Sequence, residues 1–326
     1  MTSPHALSRR TLLAATVSSI AASAFAEGDL YPSRPLKVLV PYPPGGAADI
    51  AARAVGEQLA QRLGKPVVID NRPGAAGSLA ATAAAKSPAD GYTLLVADVG
   101  QLAINPTLRP KITYNPARDF QPLSPVATVP LFMAVRPALP ITSVADLISY
   151  AKSQPNFTYS TPGIGSSHHL AMEMLNSRTG MHMAHIPYTG GGPAIAAAIA
   201  GDVGLVVSAL GALLPQVKDG KLRLIGVCTK KRTRLAPDVP AVSETVPGFD
   251  VFDMVGFLLP AHSPQPIVQR LSEEIMVIAR SPEVSRRMAE LGLDATAATP
   301  DVYATMIHDA AQSLGKLVTD LGLTVD

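Results

Sequence analysis

Val38-Leu39-Val40-Pro41-Tyr42-Pro43-Pro44-Gly45-Gly46-Ala47-Ala48-Asp49 runs from a short apolar segment through a proline–glycine turn into an alanine-rich helix. A strand–turn–helix unit of this kind is the building block of an α/β sheet. It also leaves the first backbone N–H groups of the helix unpaired at the turn, where the helix dipole favours negative charge. Gly45 and Gly46 carry no side chain that would hold an anion away from that backbone. Two readings stand for this turn: a carboxylate or phosphate seat, and a plain strand–helix connection. The chain contains no G-x-G-x-x-G and no G-x-x-x-x-G-K-[ST], which argues against a dinucleotide or P-loop nucleotide site.

The same alternation continues outward. Apolar runs predict strands over 36–40, 67–70, 92–97, 131–135, 158–160, 185–186, 205–208 and 222–227. Alanine-rich or amphipathic stretches predict helices over 48–63, 79–85, 143–154, 169–180, 193–200, 267–281, 282–291 and 300–321. Strands separated by helices imply mostly parallel sheets, because parallel neighbours need crossover connections. Two stretches look like crossings between domains: 120–127, and the turn-rich, irregular 237–260. The last sixty or so residues hold no convincing strand and suit packing back onto the first sheet. The expected organisation is a first lobe of 27–127 completed by 251–326, with a second lobe of 128–250 between. Two lobes joined by two strands make a hinge with a cleft, where small-molecule sites form.

Residues 1–26 carry Arg9-Arg10, a weakly apolar middle and an Ala24-Phe25-Ala26 end, the pattern of a cleavable secretory signal cut after Ala26. The arginine pair resembles a twin-arginine signal but also occurs in general secretory ones. The apolar stretch is about 15 residues, short of the roughly 20 a membrane-spanning helix needs. Of 27 basic residues two lie in this segment and none of the 25 acidic ones does. The exported chain is therefore charge-balanced at 25 against 25, with no global field for nucleic acid or anionic lipid. Cys228 is the single cysteine and lies in an apolar run, so it reads as an inert core thiol.

Loops after strand ends point at the ligand crevice of an open α/β sheet. Four qualify: 41–49, then Asp98-Val99-Gly100-Gln101, then Thr161-Pro162-Gly163-Ile164-Gly165-Ser166-Ser167-His168-His169, then Pro187-Tyr188-Thr189-Gly190-Gly191-Gly192-Pro193. Ser166 and Ser167 either cap the helix starting near His169 or donate to an anion there. Asp49 sits in the first helical turn, favourable to the dipole whether or not it touches a ligand. Asp98, directly after an apolar strand, either receives a ligand ammonium or hydroxyl or caps its own turn. His182-x-x-His185 has a spacing seen at metal sites, yet no acid stands nearby except Glu173. The serines between Gly163 and His168 do not form the G-x-S-x-G elbow. A secreted Ser/His hydrolase using Ser166 and His168, and a metal-binding protein using His182 and His185, are the alternatives to a binding protein.

The chain resembles a known family in Tyr31-Pro32-x-Arg34-Pro35, Val40-Pro41-Tyr42-Pro43-Pro44-Gly45-Gly46-x-x-Asp49 and Asn71-Arg72-Pro73-Gly74-Ala75-x-Gly77. The likeness continues in Pro88-x-Asp90-Gly91-Tyr92-Thr93-Leu94-Leu95, Ala103-Ile104-Asn105-Pro106, Ser167-x-His169-Leu170-Ala171 and His185-x-Pro187-Tyr188-x-Gly190. In order along the chain, these are similar to motifs of the tripartite tricarboxylate transporter receptors, the Bug family of extracytoplasmic solute receptors. The resemblance implies a type II periplasmic-binding-protein fold, two α/β lobes with a hinged interdomain cleft. It implies no catalysis and no cofactor, a periplasmic location, a small carboxylate in the cleft and a membrane transporter of the tricarboxylate type as partner. It further implies that loops 41–49 and 161–169 act as pincers on the carboxylate. The residues expected at ligand are Tyr42, Gly45, Gly46, Ala47, Asp49, Asp98, Gly100, Gln101, Gly165, Ser166, Ser167, His168, Tyr188, Gly190 and Ser208, in a monomer.

Three departures from the family pattern bear on the ligand. Asp98 to Gln101 stand where relatives carry Thr or Ser, Gly204 and Ser208 where relatives often show an Asp pair, and Met254 where Trp is common. Changing the acids of the cleft shifts selectivity. A carboxylate whose far end donates hydrogen bonds to Asp98, a hydroxy acid or an amino acid, is the expected consequence.

Overall fold

The computed structural model describes residues 31–325. The expected signal segment and its cleavage point lie outside those residues. The chain opens with β1 (Leu36–Val40), α1 (Ala47–Leu63), β2 (Val67–Asn71), α2 (Ser78–Ala85) and β3 (Thr93–Ala97). A π-helical turn, Gly100–Ile104, leads through α3 (Asn105–Leu108) and α4 (Pro116–Asp119) into β4 (Phe120–Val135). Next come α5 (Val144–Ser153), β5 (Thr158–Thr161), α6 (Ser167–Thr179), β6 (Ala184–Pro187), α7 (Gly191–Ala200), β7 (Leu205–Ala209), α8 (Leu210–Lys218) and β8 (Arg223–Val227). The chain closes with β9 (Phe252–Pro260), α9 (Gln265–Arg280), α10 (Pro282–Glu290), β10 (Asp294–Ala295) and α11 (Pro300–Asp320).

Two sheets share β4. The first runs β2-β1-β3-β9-β4, with β10 pairing β4 at Ala127 and Thr128. The second runs β4-β7-β5-β6, with β8 on the other side of β4. The handover is sharp: residues 120–130 of β4 pair with β9, and Leu131–Val135 pair with β7. Strands joined by crossover helices are parallel, as in β1–β2, β1–β3, β5–β6 and β5–β7. Every pairing of β4, and that of β3 with β9, is antiparallel, so the sheets are mixed and not mostly parallel.

Three local expectations are corrected. The stretch 237–260 is not irregular throughout: its end is β9, a central strand buried from Asp253 to Pro260. The last sixty residues do contain a strand, the two-residue β10. The stretch 120–127 is part of β4 itself; Pro122 and Pro125 sit beside register shifts, where a residue without an N–H costs no ladder bond. Helix α8, which carries Pro215 in its interior, adds to the expected elements.

Each sheet is covered on both faces. In β1, Leu36, Val38 and Val40 pack with α1, α9 and α10, while Leu39 points to the opposite face and packs with α2, the π turn and α11. This alternation follows from the two-residue strand period. In α1, Ala48, Ala51, Ala52, Val55, Leu59 and Leu63 form one buried face at helical spacing. The second sheet packs α5 and α6 on one side and α7 and α8 on the other. Among the described residues no helix is long and apolar enough to cross a membrane.

Candidate functional site

A cavity of about 400 Å³ lies where the two sheets' loops meet. Its first-sheet wall is Tyr42 to Ala48 together with Asp98, Asp253 and Val255. Its second-sheet wall is Gly190 to Pro193, Ile195, Ile199, Ser208 and Ala212, with Pro162 and His168 at one end. Two helices therefore aim their N-termini at one space. Helix α1 starts after Gly46 and α7 after Gly190, and neither carries a side-chain cap. Their first-turn N–H groups are the unpaired donors that bind anions.

Asp49 does not line the cavity; it holds the rim. The carboxylate, 3% exposed, accepts from Gly45 N (3.0 Å), Asn71 Nδ2 (2.9 Å) and Arg53 Nε (3.0 Å). Burial alone would push the Asp49 pKa up, but the bonds from Arg53, Gly45 and Asn71 outweigh it and hold it below the usual carboxylate range. Asn71 also donates to Tyr42 O (2.9 Å), so strand β2, helix α1 and the loop are tied at one point. Asp49→Ala should lower stability by about 1–2 kcal/mol at neutral pH, a Tm drop of roughly 2–6 °C. Because the folded-state pKa is depressed, this contribution is complete above the ordinary carboxylate value and is lost as pH falls through the folded one. Thermal melts of the two proteins should therefore draw closer as pH falls from 7 toward 3.

The second loop turns inward. Gln101 is fully buried: Oε1 accepts from Asp98 N (2.9 Å), and Nε2 donates to Ala76 O (2.8 Å) and to the Tyr42 hydroxyl (3.1 Å). Gly100 donates to Asp98 Oδ1 at 2.7 Å. Gly100 and Gln101 thus frame Asp98 and Tyr42, and only the latter two reach the cavity.

The 161–169 loop is the largest departure from expectation. Arg109 Nη2 donates to Ile164 O at 3.1 Å, and a Cβ on Gly165 would overlap Asn105 Oδ1. This loop is pressed onto α3, between the halves, and Gly165 is not among the residues lining the cavity. Ser166 is a helix cap: its hydroxyl accepts from His169 N (3.2 Å) and donates to Gly163 O (2.8 Å). Ser167 reaches across to the first sheet, donating to Asp253 Oδ2 at 2.9 Å. Tyr188 packs with the α7–α8 core and is not among the residues lining the cavity. Of the expected ligand residues, the cavity gathers Tyr42, Gly45, Gly46, Ala47, Asp98, His168, Gly190 and Ser208. It leaves out Asp49, Gly100, Gln101, Gly165, Ser166, Ser167 and Tyr188.

The metal alternative does not find its geometry. His182 is exposed, whereas His185 stacks between Tyr159 (4.9 Å) and His169 (4.2 Å), with Nε2 on Thr161 Oγ1 (2.7 Å). Burial holds His185 down to about 3 and His169 to about 4. Glu173, the acid nearest in sequence, accepts from the Tyr159 hydroxyl (2.5 Å). Among the described residues no group of three or more His, Cys, Asp or Glu could hold a metal ion. Cys228 is buried, and its thiol is pushed up to about 12.

One lining residue without a clear sequence signal is Asp253, 5% exposed, beside Asp98 at 4%. It sits in the unexpected strand β9, accepting from Val99 N (3.2 Å) and Met254 N (2.8 Å). Among the described residues no lysine or arginine lines the cavity. An anion here would meet helix-start amides and neutral polar side chains, not a cationic one.

The family model described as tripartite tricarboxylate transporter family receptor matches residues 51–323. The chain belongs to that family. It is a solute-binding receptor, not an enzyme. The receptor is 34% identical to protein BugT of Bordetella pertussis, over 90% of this chain and 91% of BugT. It superposes on Rpa4515 of R. palustris, solved with adipate, at a TM-score of 0.87 and 32% identity, covering 90% of this chain and 99% of that one. It also superposes on MatC from Rhodopseudomonas palustris, solved with malate, at 0.83 and 29% identity, covering 88% of this chain and 100% of that one. These likenesses give the receptor the periplasmic-binding-protein fold.

Proposed function

We propose that the receptor captures a small carboxylate in the cavity between two hinged lobes in the periplasm and presents it for tricarboxylate-type uptake or for sensing. The observation that carries this reading is the pair of uncapped helix N-termini, α1 and α7, facing one 400 Å³ space from opposite sheets. The lobes are 27–127 with 251–326, and 128–250, exported by the signal in residues 1–26. Rpa4515 and MatC, relatives of the same fold, were solved with the carboxylates adipate and malate, which supports the ligand class. Ligand bound to one lobe is completed by contacts from the other, so closure is stabilised by differential contacts. Gently purified receptor should retain a small acid in native mass spectrometry, and a panel of mono- and dicarboxylates should include one that raises Tm. The absence of both a retained acid and any shift across the panel would sink the reading.

A further inference from the structure

Asp98 and Asp253 stand side by side on the first-sheet wall. Val99 N–H donates to Asp253 while Gly100 N–H donates to Asp98, so consecutive amides of one turn orient the two carboxyls. Both line the cavity, both are at least 95% buried, and among the described residues no basic side chain lines it with them. The other titratable groups around the pair are Tyr42, His168, Tyr114 and Tyr303. None supplies a positive charge near neutral pH: burial raises the three tyrosines and lowers His168 to about 4. Two acids facing a space that lacks a cation form a seat for one.

We infer that the solute is an amino acid, its protonated amine taken by Asp98 and Asp253 and its carboxylate by the amides at the starts of α1 and α7. This rests on the reading of the cavity as a carboxylate seat and names what occupies its other end. A second carboxylate placed there would meet like charge in a low-dielectric site. A quaternary ammonium would want an aromatic cage, and among the described residues the lining offers Tyr42 and His168 as its only rings. A primary amine, with N–H donors for carboxylate oxygens, fits both conditions.

Burial pushes Asp253 up to about 6, and burial followed by the Asp253 charge pushes Asp98 well above the carboxylate range. The empty pair therefore holds a proton in mildly acid solution, and an ammonium must displace it. Aliphatic amines stay protonated throughout that range. Affinity for an amino acid should therefore rise several-fold per pH unit through mildly acid solution, as the bound ammonium displaces that proton. A dicarboxylate would show the opposite sign, because it favours the protonated pair.

Calorimetry on the solute-free full chain tests this with the twenty L-amino acids, β-alanine and γ-aminobutyrate, against succinate, malate, adipate and butyrate. The expected result is an amino acid bound at least a hundredfold tighter than any amine-free acid, with affinity rising with pH. Asp98→Asn, which keeps the side-chain shape, should weaken that amino acid at least tenfold while leaving the circular dichroism spectrum unchanged. The wild-type pH profile discriminates between the two ligand classes even where the variant folds poorly. Tighter binding of an amine-free acid, affinity falling with pH, or binding that requires an added divalent cation would each overturn the inference and leave the carboxylate receptor standing. Binding of neither set would overturn both.

Discussion

Gly190→Val is expected to weaken solute capture at least a hundredfold, about 2.7 kcal/mol, measured by calorimetry with whichever carboxylate the receptor holds. Two independent effects act at this residue. Its backbone lies at φ 124° and ψ 171°, a region essentially closed to residues with a Cβ. An added Cβ would also come within 3.2 and 3.3 Å of Pro43 Cδ and Cγ, on the opposite wall of the cavity. The first effect re-aims the N-terminus of α7, whose Gly191 and Gly192 amides face the cavity. The second presses the walls apart at Pro43. The strands behind α7 are untouched, so the unliganded fold should persist by circular dichroism. Unchanged affinity would show that the start of α7 takes no part in holding the solute.

Much of the architecture is legible in the sequence because its signals are local. Strands β1, β3, β5 and β7 are short apolar runs followed by turns and helices, and the expected bounds lie within a residue or so of those observed. What local pattern does not show is long-range pairing. Pro122, Pro125 and Pro130 make β4 look like a linker, yet it is the hub of both sheets because β9 accommodates it through register shifts. Strand β9 follows the proline-rich 237–247 stretch, and Asp253 and Gly256 interrupt its apolar run. Its pattern is therefore that of a loop, although eight of its nine residues are buried.

The same limit governs the cavity. Asp98 stands out because an acid directly follows an apolar strand. Asp253 does not, since an acid within what looks like a turn is unremarkable; recognising β9 first would expose a buried acid inside an apolar strand. Ser166 shows the converse. A serine before a helix fits capping and anion binding equally well in sequence, and only its two bonds, to His169 N and Gly163 O, show its hydroxyl already engaged. Glycine content misleads in a related way. The 161–169 and 187–193 loops look alike in sequence, but Asn105 and Arg109 pack against Gly165 and Ile164, so the first loop reaches the cavity only through Pro162 and His168 while Gly190 to Pro193 line it in a row.

Gly211→Ala should reduce affinity tenfold or more and increase the radius of gyration of the receptor in solution scattering. Gly211 is the second residue of α8, and a Cβ there would overlap the carbonyl oxygen of Leu291 at the end of α10. Helix α8 covers the second sheet, α10 the first, so the contact joins the halves. Relieving such an overlap costs about 1–3 kcal/mol, and the strain goes to the softest coordinate. Moving α8 within its own half would disturb Leu210 and Leu213, both buried in the α7–α8 core. Changing the angle between halves strains the short connections beside β4 and polar cross-contacts such as Ser167 to Asp253 and Arg109 to Ile164, and close-packed cores resist deformation more than hinges do. Ala209, Ala212 and Gln216 flank Gly211 on the cavity wall, so any such rotation opens the space that holds the solute. A lowered Tm with unchanged scattering and unchanged affinity would mean that α8 absorbs the strain, and that the two halves form one rigid body at this contact.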